Sequence, residues 1–129
     1  MVVDSSSLLA ILQNEAEAEH FGRLLVEAPS VLIGAATLFE VSMVTVSRRG
    51  ETGLAELTAL LADAKATIVP FDERHSRLAL EAFRRFGKGR HRASLNYADC
   101  ISYALSKSTG LPLLFKGDDF VHTDVKPAV

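Results

Sequence analysis

The chemistry in this chain resides in its misplaced acids. Asp99 stands inside "SLNYADCISYAL", where Tyr97, Ala98, Cys100, Ile101, Tyr103, Ala104 and Leu105 leave few polar sides. A carboxylate in such company is costly unless something pairs with it. Glu40, in "LFEVSMV", repeats the problem, because its neighbours at helical spacing are Ala36, Thr37, Met43 and Val44. Asp4 ends the apolar run "MVVD", and Asp118 and Asp119 follow "LPLLF". Each has an ordinary explanation when taken alone: a boundary residue, a helix cap, or a "GDD" turn. If they converge, like charges raise one another's pKa, and a hard divalent cation removes that penalty. Mg²⁺ and Mn²⁺ prefer carboxylate oxygens and water. A ring of acids around such an ion suits phosphoryl chemistry, in which the ion polarises the phosphate and activates a water.

The elements around these acids alternate. "MVVD" predicts a buried strand, and "SSSLLAIL" a helix capped by Ser5 or Ser6. "NEAEAEHFGRLLVEA" predicts an amphipathic helix ended by Pro29, with "SVLI" as a second strand. "AATLFEVSMVTVSRR" reads as a helix stopped by Gly50, and "ETGLAELTALLADAK" as another. "ATIVPF" is a third strand, and "DERHSRLALEAFRRFG" a helix capped by Asp72. The basic loop "KGRHRAS" leads into the Asp99 helix, which stops at Gly110 before the fourth strand, "LPLLF". "KGDDF" is then a turn, and "VHTDVKPAV" a tail able to add a short edge strand. The alternation implies an α/β fold with a parallel sheet covered on both faces. Such sheets bind ligands beyond the carboxyl ends of their strands, where strand order reverses. Asp4, Asp72, Asp118 and Asp119 all follow strands.

The 129 residues suit a single domain, 1–129, and 48% hydrophobic content suits a folded core. A net charge of −2 gives no global basic field. The single cysteine, Cys100, cannot form an intrachain disulfide, suits a reducing compartment and is expected to be buried. The start is a poor signal peptide, and no apolar run approaches the ~20 residues that span a bilayer. These features predict a cytoplasmic protein with no membrane partner.

"VVDSSSLLAIL", "LFEVSMV" and "LNYADCISYALSKSTGLPLLFKGDDF" occur in the order of the acidic motifs of PIN-domain ribonucleases. The chain resembles that family over nearly its whole length, and in particular the VapC-type toxins of VapBC toxin–antitoxin pairs. The resemblance implies a three-layer α/β/α sandwich around a parallel sheet of four or five strands. It implies a Mg²⁺-dependent endoribonuclease, with Mn²⁺ able to substitute, that leaves 3′-hydroxyl and 5′-phosphate ends. Asp4, Glu40 and Asp99 would be the first three acids, with Ser6 as the polar residue beside the first. The fourth is Asp119, or Asp118 in the alternative alignment. Asp4, Asp99 and Asp119 or Asp118 would bind metal, and Glu40 would orient or deprotonate the attacking water. The resemblance also implies tRNA as substrate, arrest of translation, a homodimer, and inhibition by a VapB-type antitoxin.

RNA requires a positive surface. Arg84, Arg85, Lys88, Arg90 and Arg92 make the densest basic stretch of the chain, just before the Asp99 helix, and Lys116 adjoins the last acids. These are the expected phosphate contacts. The four histidines lack metal-ligand spacing, so no zinc site is expected. Tyr97 and Tyr103 are expected in the core rather than as base-stacking platforms. Two rival readings are a PIN-like RNA- or protein-binding module without catalysis and a Mg²⁺-binding phosphoacceptor signalling domain. The second usually has an acidic pair at its first strand, where this chain has serines after Asp4.

Overall fold

The computed structural model describes residues 1–129. The chain runs β1 (Val2–Val3), α1 (Ser5–Leu12), α2 (Ala18–Glu27), β2 (Leu32–Gly34), α3 (Ala35–Asp63), β3 (Thr67–Val69), α4 (Glu73–Phe86), α5 (Tyr97–Thr109) and β4 (Leu113–Leu114). The four strands form one parallel sheet in the order β3-β2-β1-β4. Val2 registers with Leu32 and Leu113, and Val3 with Leu114.

Strand periodicity divides the molecule into layers. Successive strand side chains point to opposite faces. Val2 and Leu113 pack with Phe86, Leu95, Cys100 and Tyr103, on the side covered by α4 and α5. Val3 and Leu114 pack with Leu8, Leu25, Val41 and Leu57, on the side of α1, α2 and α3. The sandwich and the four-stranded sheet agree with the expected architecture.

Local signals explain most element ends. Asp4, rather than Ser5 or Ser6, caps α1, its side chain accepting the Ser6 N–H. The second helix begins later than expected, because Asn14 takes a positive φ of 52° and residues 13–17 form turns. The two helices expected on either side of Gly50 form a single run, α3, broken where Gly50 takes φ 62° and ψ −155°. Few side chains tolerate that conformation. Asp72 caps α4 through the His75 N–H, as expected. Gly110, at φ 70°, ends α5 in a left-handed turn. Pro127 bridges to Leu113, so the tail runs beside β4 as a short edge.

Strand order reverses at β1, since the chain passes from β1 to β2 and β3 on one side and later returns to place β4 on the other. The switch point, where sheets of this kind hold their ligand crevice, thus lies beyond the carboxyl ends of β1 and β4. Asp4 leaves β1 there, and its N–H donates to Leu114 O at 2.9 Å. The α5 helix runs back toward the start of β4, so its first turn, with Asp99, lies at the same end.

Candidate active site

The crevice is lined by carboxylates whose partners differ. Asp4 is only 3% exposed. Its Oδ2 accepts the Ser6 N–H at 3.0 Å and the Ser6 hydroxyl at 2.6 Å. Its Oδ1 accepts the Ser102 hydroxyl at 2.6 Å. Ser6 Oγ in turn accepts the Lys116 N–H at 3.0 Å, which ties the end of β1 to the segment after β4.

Asp99 lies in the first turn of α5 and is 8% exposed. Its Oδ2 accepts the Asn96 N–H at 2.9 Å, and Asn96 Oδ1 accepts the Asp99 N–H at 2.9 Å. Burial pushes its carboxyl up to about 7; the Asn96 N–H opposes the shift, and the charges of Asp4, Asp119 and Glu40 add to it. Asp118 is not among those charges. The half-buried Glu40 comes from α3, just after β2, and its Oε1 is buried with no hydrogen-bond partner. Asp118 and Asp119 are exposed in the turn after β4.

The donor set fits a hard cation in a water-rich shell. All of its atoms are oxygens, a buried carboxylate oxygen of Glu40 is unclaimed, and Asp99 is crowded by like charges. No three Asp, Glu, His or Cys side chains are gathered tightly enough to hold one ion by themselves. Mg²⁺ commonly uses one or two carboxylates and keeps several waters, so such a cage is not required.

The basic residues separate into two groups. Arg84, Lys88, Arg90 and Arg92 are exposed. The loop that carries three of them is closed at its base by a bridge between Gly87 and Leu95, and Arg90 stacks over the Phe83 ring at 5.4 Å. Arg85 instead lies 3.3 Å from Asp124 and 3.4 Å from the Tyr103 hydroxyl. Lys116 pairs with Glu15 and with Glu17, the latter at 3.1 Å. Hydrogen bonding to Glu15 and then to Glu17 raises the Lys116 pKa. Lys116 and Arg85 are thus each paired with acids of the chain itself, and Arg85 remains exposed like the other basic residues of its stretch.

Asn96 and Ser102 were absent from the expected site. Asn96 had a local signal, since a capping residue three positions before an acid is capping-box spacing. Ser102 lies one helical turn after Asp99, on the same face, but nothing local connects it to Asp4. Tyr103 is buried as expected, whereas Tyr97, the first residue of α5, is 83% exposed. Tyr97 starts the helix beyond the core and, with Phe39, Met43 and Ile101, lines a cleft of about 360 Å³ that includes Glu40. Cys100 is buried, and its thiol is pushed up to about 11 by burial and by the nearby Asp99, which leaves it unsuited to nucleophilic attack.

Residues 1–126 match the PIN domain family. The chain is 46% identical over 126 residues to ribonuclease VapC30 of Mycobacterium tuberculosis, covering 97% of this chain and 95% of that one. It is 46% identical over 125 residues to ribonuclease VapC of Mycolicibacterium smegmatis, covering 97% of each. Among solved structures, the sarcin-ricin loop cleaving toxin VapC20 of Mycobacterium tuberculosis superposes with a TM-score of 0.77. It covers 96% of this chain and 95% of that one, at 18% identity, and so speaks for the fold.

Proposed function

Because this chain belongs to the VapC ribonucleases of the PIN-domain family, we propose that it hydrolyses RNA phosphodiester bonds at the crevice beyond β1 and β4. The observation that carries this reading is the opposition of the buried Asp99 carboxyl by Asp4, Glu40 and Asp119 around one strand-end crevice. Asp4 and Asp99 are the principal ligands of a Mg²⁺ or Mn²⁺ ion, directly or through water. The charge of Asp119 on Asp99 favours it over Asp118 as the fourth acid. When bound, such an ion polarises the scissile phosphate and lowers the pKa of the attacking water.

The chain's own side chains do the remaining work. Glu40 has a buried, unpartnered oxygen that can orient the water or accept its proton. Water oxygen bonds to phosphorus as the bond to the 3′ oxygen breaks, and the 3′ oxygen takes a proton from solvent, leaving a 5′-phosphate and a 3′-hydroxyl. Ser6 supports Asp4 rather than the phosphate, because its hydroxyl donates to Asp4 and accepts from Lys116. Arg84, Lys88, Arg90 and Arg92 form the surface for the RNA backbone.

The cytoplasmic substrate is a tRNA, whose cleavage arrests translation, and a VapB-type antitoxin restrains the enzyme. A ring of carboxylates suited to a cation also receives arginine, which pairs with carboxylates bidentately. The exposed stripe of Phe39, Met43 and Val46 on α3, beside Tyr97, supports a homodimer. No helix of the chain is long and apolar enough to cross a membrane. The test incubates the purified protein with total RNA, with and without Mg²⁺, and sequences the new 5′ ends. Mg²⁺-dependent cuts in tRNA are expected. Cuts confined to ribosomal RNA would overturn the substrate, and no cuts in any RNA would overturn the site.

A further inference from the structure

Ser102 is a buried hydroxyl that spends its hydrogen bond unusually. Thr45 and Thr58 return theirs to the carbonyl four residues back on their own helix, a common habit of Ser and Thr in helices. Ser102, 2% exposed, instead reaches across 98 positions of sequence to Asp4 Oδ1 at 2.6 Å. A hydroxyl to a carboxylate at this distance is a charge-assisted bond with a defined direction.

The rest of the Asp4 carboxylate explains why this bond matters. Oδ2 already accepts two donors, the Ser6 N–H and the Ser6 hydroxyl. A carboxylate has about four lone-pair positions, so the remaining one lies on Oδ1, the atom that Ser102 orients. Ser102 also sits one turn from Asp99 on the rigid α5 helix. The bond therefore ties Asp4 to the helix that carries Asp99, a carboxylate that Asp4 repels.

We propose that Ser102 is a positioning residue, which holds Asp4 Oδ1 so that its free lone pair faces the divalent cation shared with Asp99. The proposal rests on the metal-binding reading above. Residues that orient metal ligands typically change metal affinity or activity 10–100-fold when removed.

The test measures Mn²⁺ binding to the full chain by electron paramagnetic resonance of the free ion, together with melting in EDTA. S102A should bind Mn²⁺ at least about 10-fold more weakly than the parent. S106A is the control: it removes another buried hydroxyl of α5, one bonded to Leu111 O, and should leave Mn²⁺ affinity unchanged. If S102A does not fold, S102C keeps the shape with a much weaker donor, and its affinity should also fall. Parent-like affinity in whichever Ser102 variant folds overturns the proposal while the metal site stands. A weakening as large in S106A as in S102A also overturns it, because the effect would then come from general loosening of α5. A parent that binds no Mn²⁺ overturns the metal-binding reading itself.

Discussion

Asp99 and Asn96 cap each other: the Asn96 N–H donates to Asp99 Oδ2 and the Asp99 N–H to Asn96 Oδ1, both at 2.9 Å. The acid crowded by Asp4, Glu40 and Asp119 is thus also part of the start of α5. The two roles can use different atoms, because the cap occupies Oδ2 and makes no claim on Oδ1. They also respond differently to substitution. Asp99→Asn keeps an oxygen able to accept from Asn96 while removing the charge. It should abolish most RNA cleavage yet leave metal-free stability unchanged or higher. Asn96→Ala removes a cap and should cost about 1 kcal/mol. Melting in EDTA checks both, and a large loss in Asp99→Asn would mean that the carboxylate serves mainly to hold the fold.

The same carboxyl predicts a pH dependence. Its pKa is raised from 3.8 to about 7 in the folded chain. Between those values the folded state binds more protons than the unfolded one, so stability falls as pH rises through the window. Metal-free protein should therefore melt higher near pH 5 than near pH 8, with a slope from this group of at most about 1.4 kcal/mol per pH unit. Asp99→Asn should flatten the difference. A parent whose metal-free stability rises with pH across this window, with no change in Asp99→Asn, would contradict the prediction.

Metal should restore both activity and stability. Cleavage should stop in EDTA and return with Mg²⁺ or Mn²⁺, whereas Ca²⁺, with longer and looser coordination, should restore it poorly. Mg²⁺ should raise the melting temperature of the parent more than that of Asp99→Asn, because a ligand stabilises only the state that binds it. Cleavage that persists in excess chelator would remove the carboxylates from the chemistry.

The exposed and the paired arginines should behave differently. Neutralising Arg90 and Arg92 together should weaken RNA binding and reduce the slope of log affinity against log salt by about 1.5, the value for two phosphate contacts. Cleavage at saturating RNA should fall much less. Arg85→Gln should leave that slope unchanged and instead loosen the tail, because Arg85 is held by Asp124. Filter binding across a salt series, with melting curves alongside, separates these effects.

Lys116 provides a parallel case. Its ammonium pairs with both Glu15 and Glu17, so Lys116→Met should lower stability at low ionic strength by leaving two acids with no cation between them. The loss should shrink as salt screens them. An unchanged melting temperature accompanied by weaker RNA binding would return Lys116 to the substrate surface.

The local sequence determined much of this protein. The apolar runs "MVV" and "LPLL" marked buried strands, Gly50 and Gly110 marked a break and an end in helices, and Asp72 marked a start. The acids stood out because each occupied a position whose neighbours were apolar. These features are short-range, since they depend on helical and strand periods and on capping within a few residues. Partner choice across the fold was not legible in the same way. Nothing local to Lys116 or Arg85 showed that the tertiary fold would place Glu15, Glu17 and Asp124 beside them. Tyr97 belonged to an apolar helix by its neighbours, yet as the first residue of α5 it is left in solvent while Asp99 and Cys100 behind it are buried. Ser102 carried no local mark, because its partner lies on β1's carboxyl end and meets it only when β4 crosses back to the far side of β1 and draws α5 over the crevice.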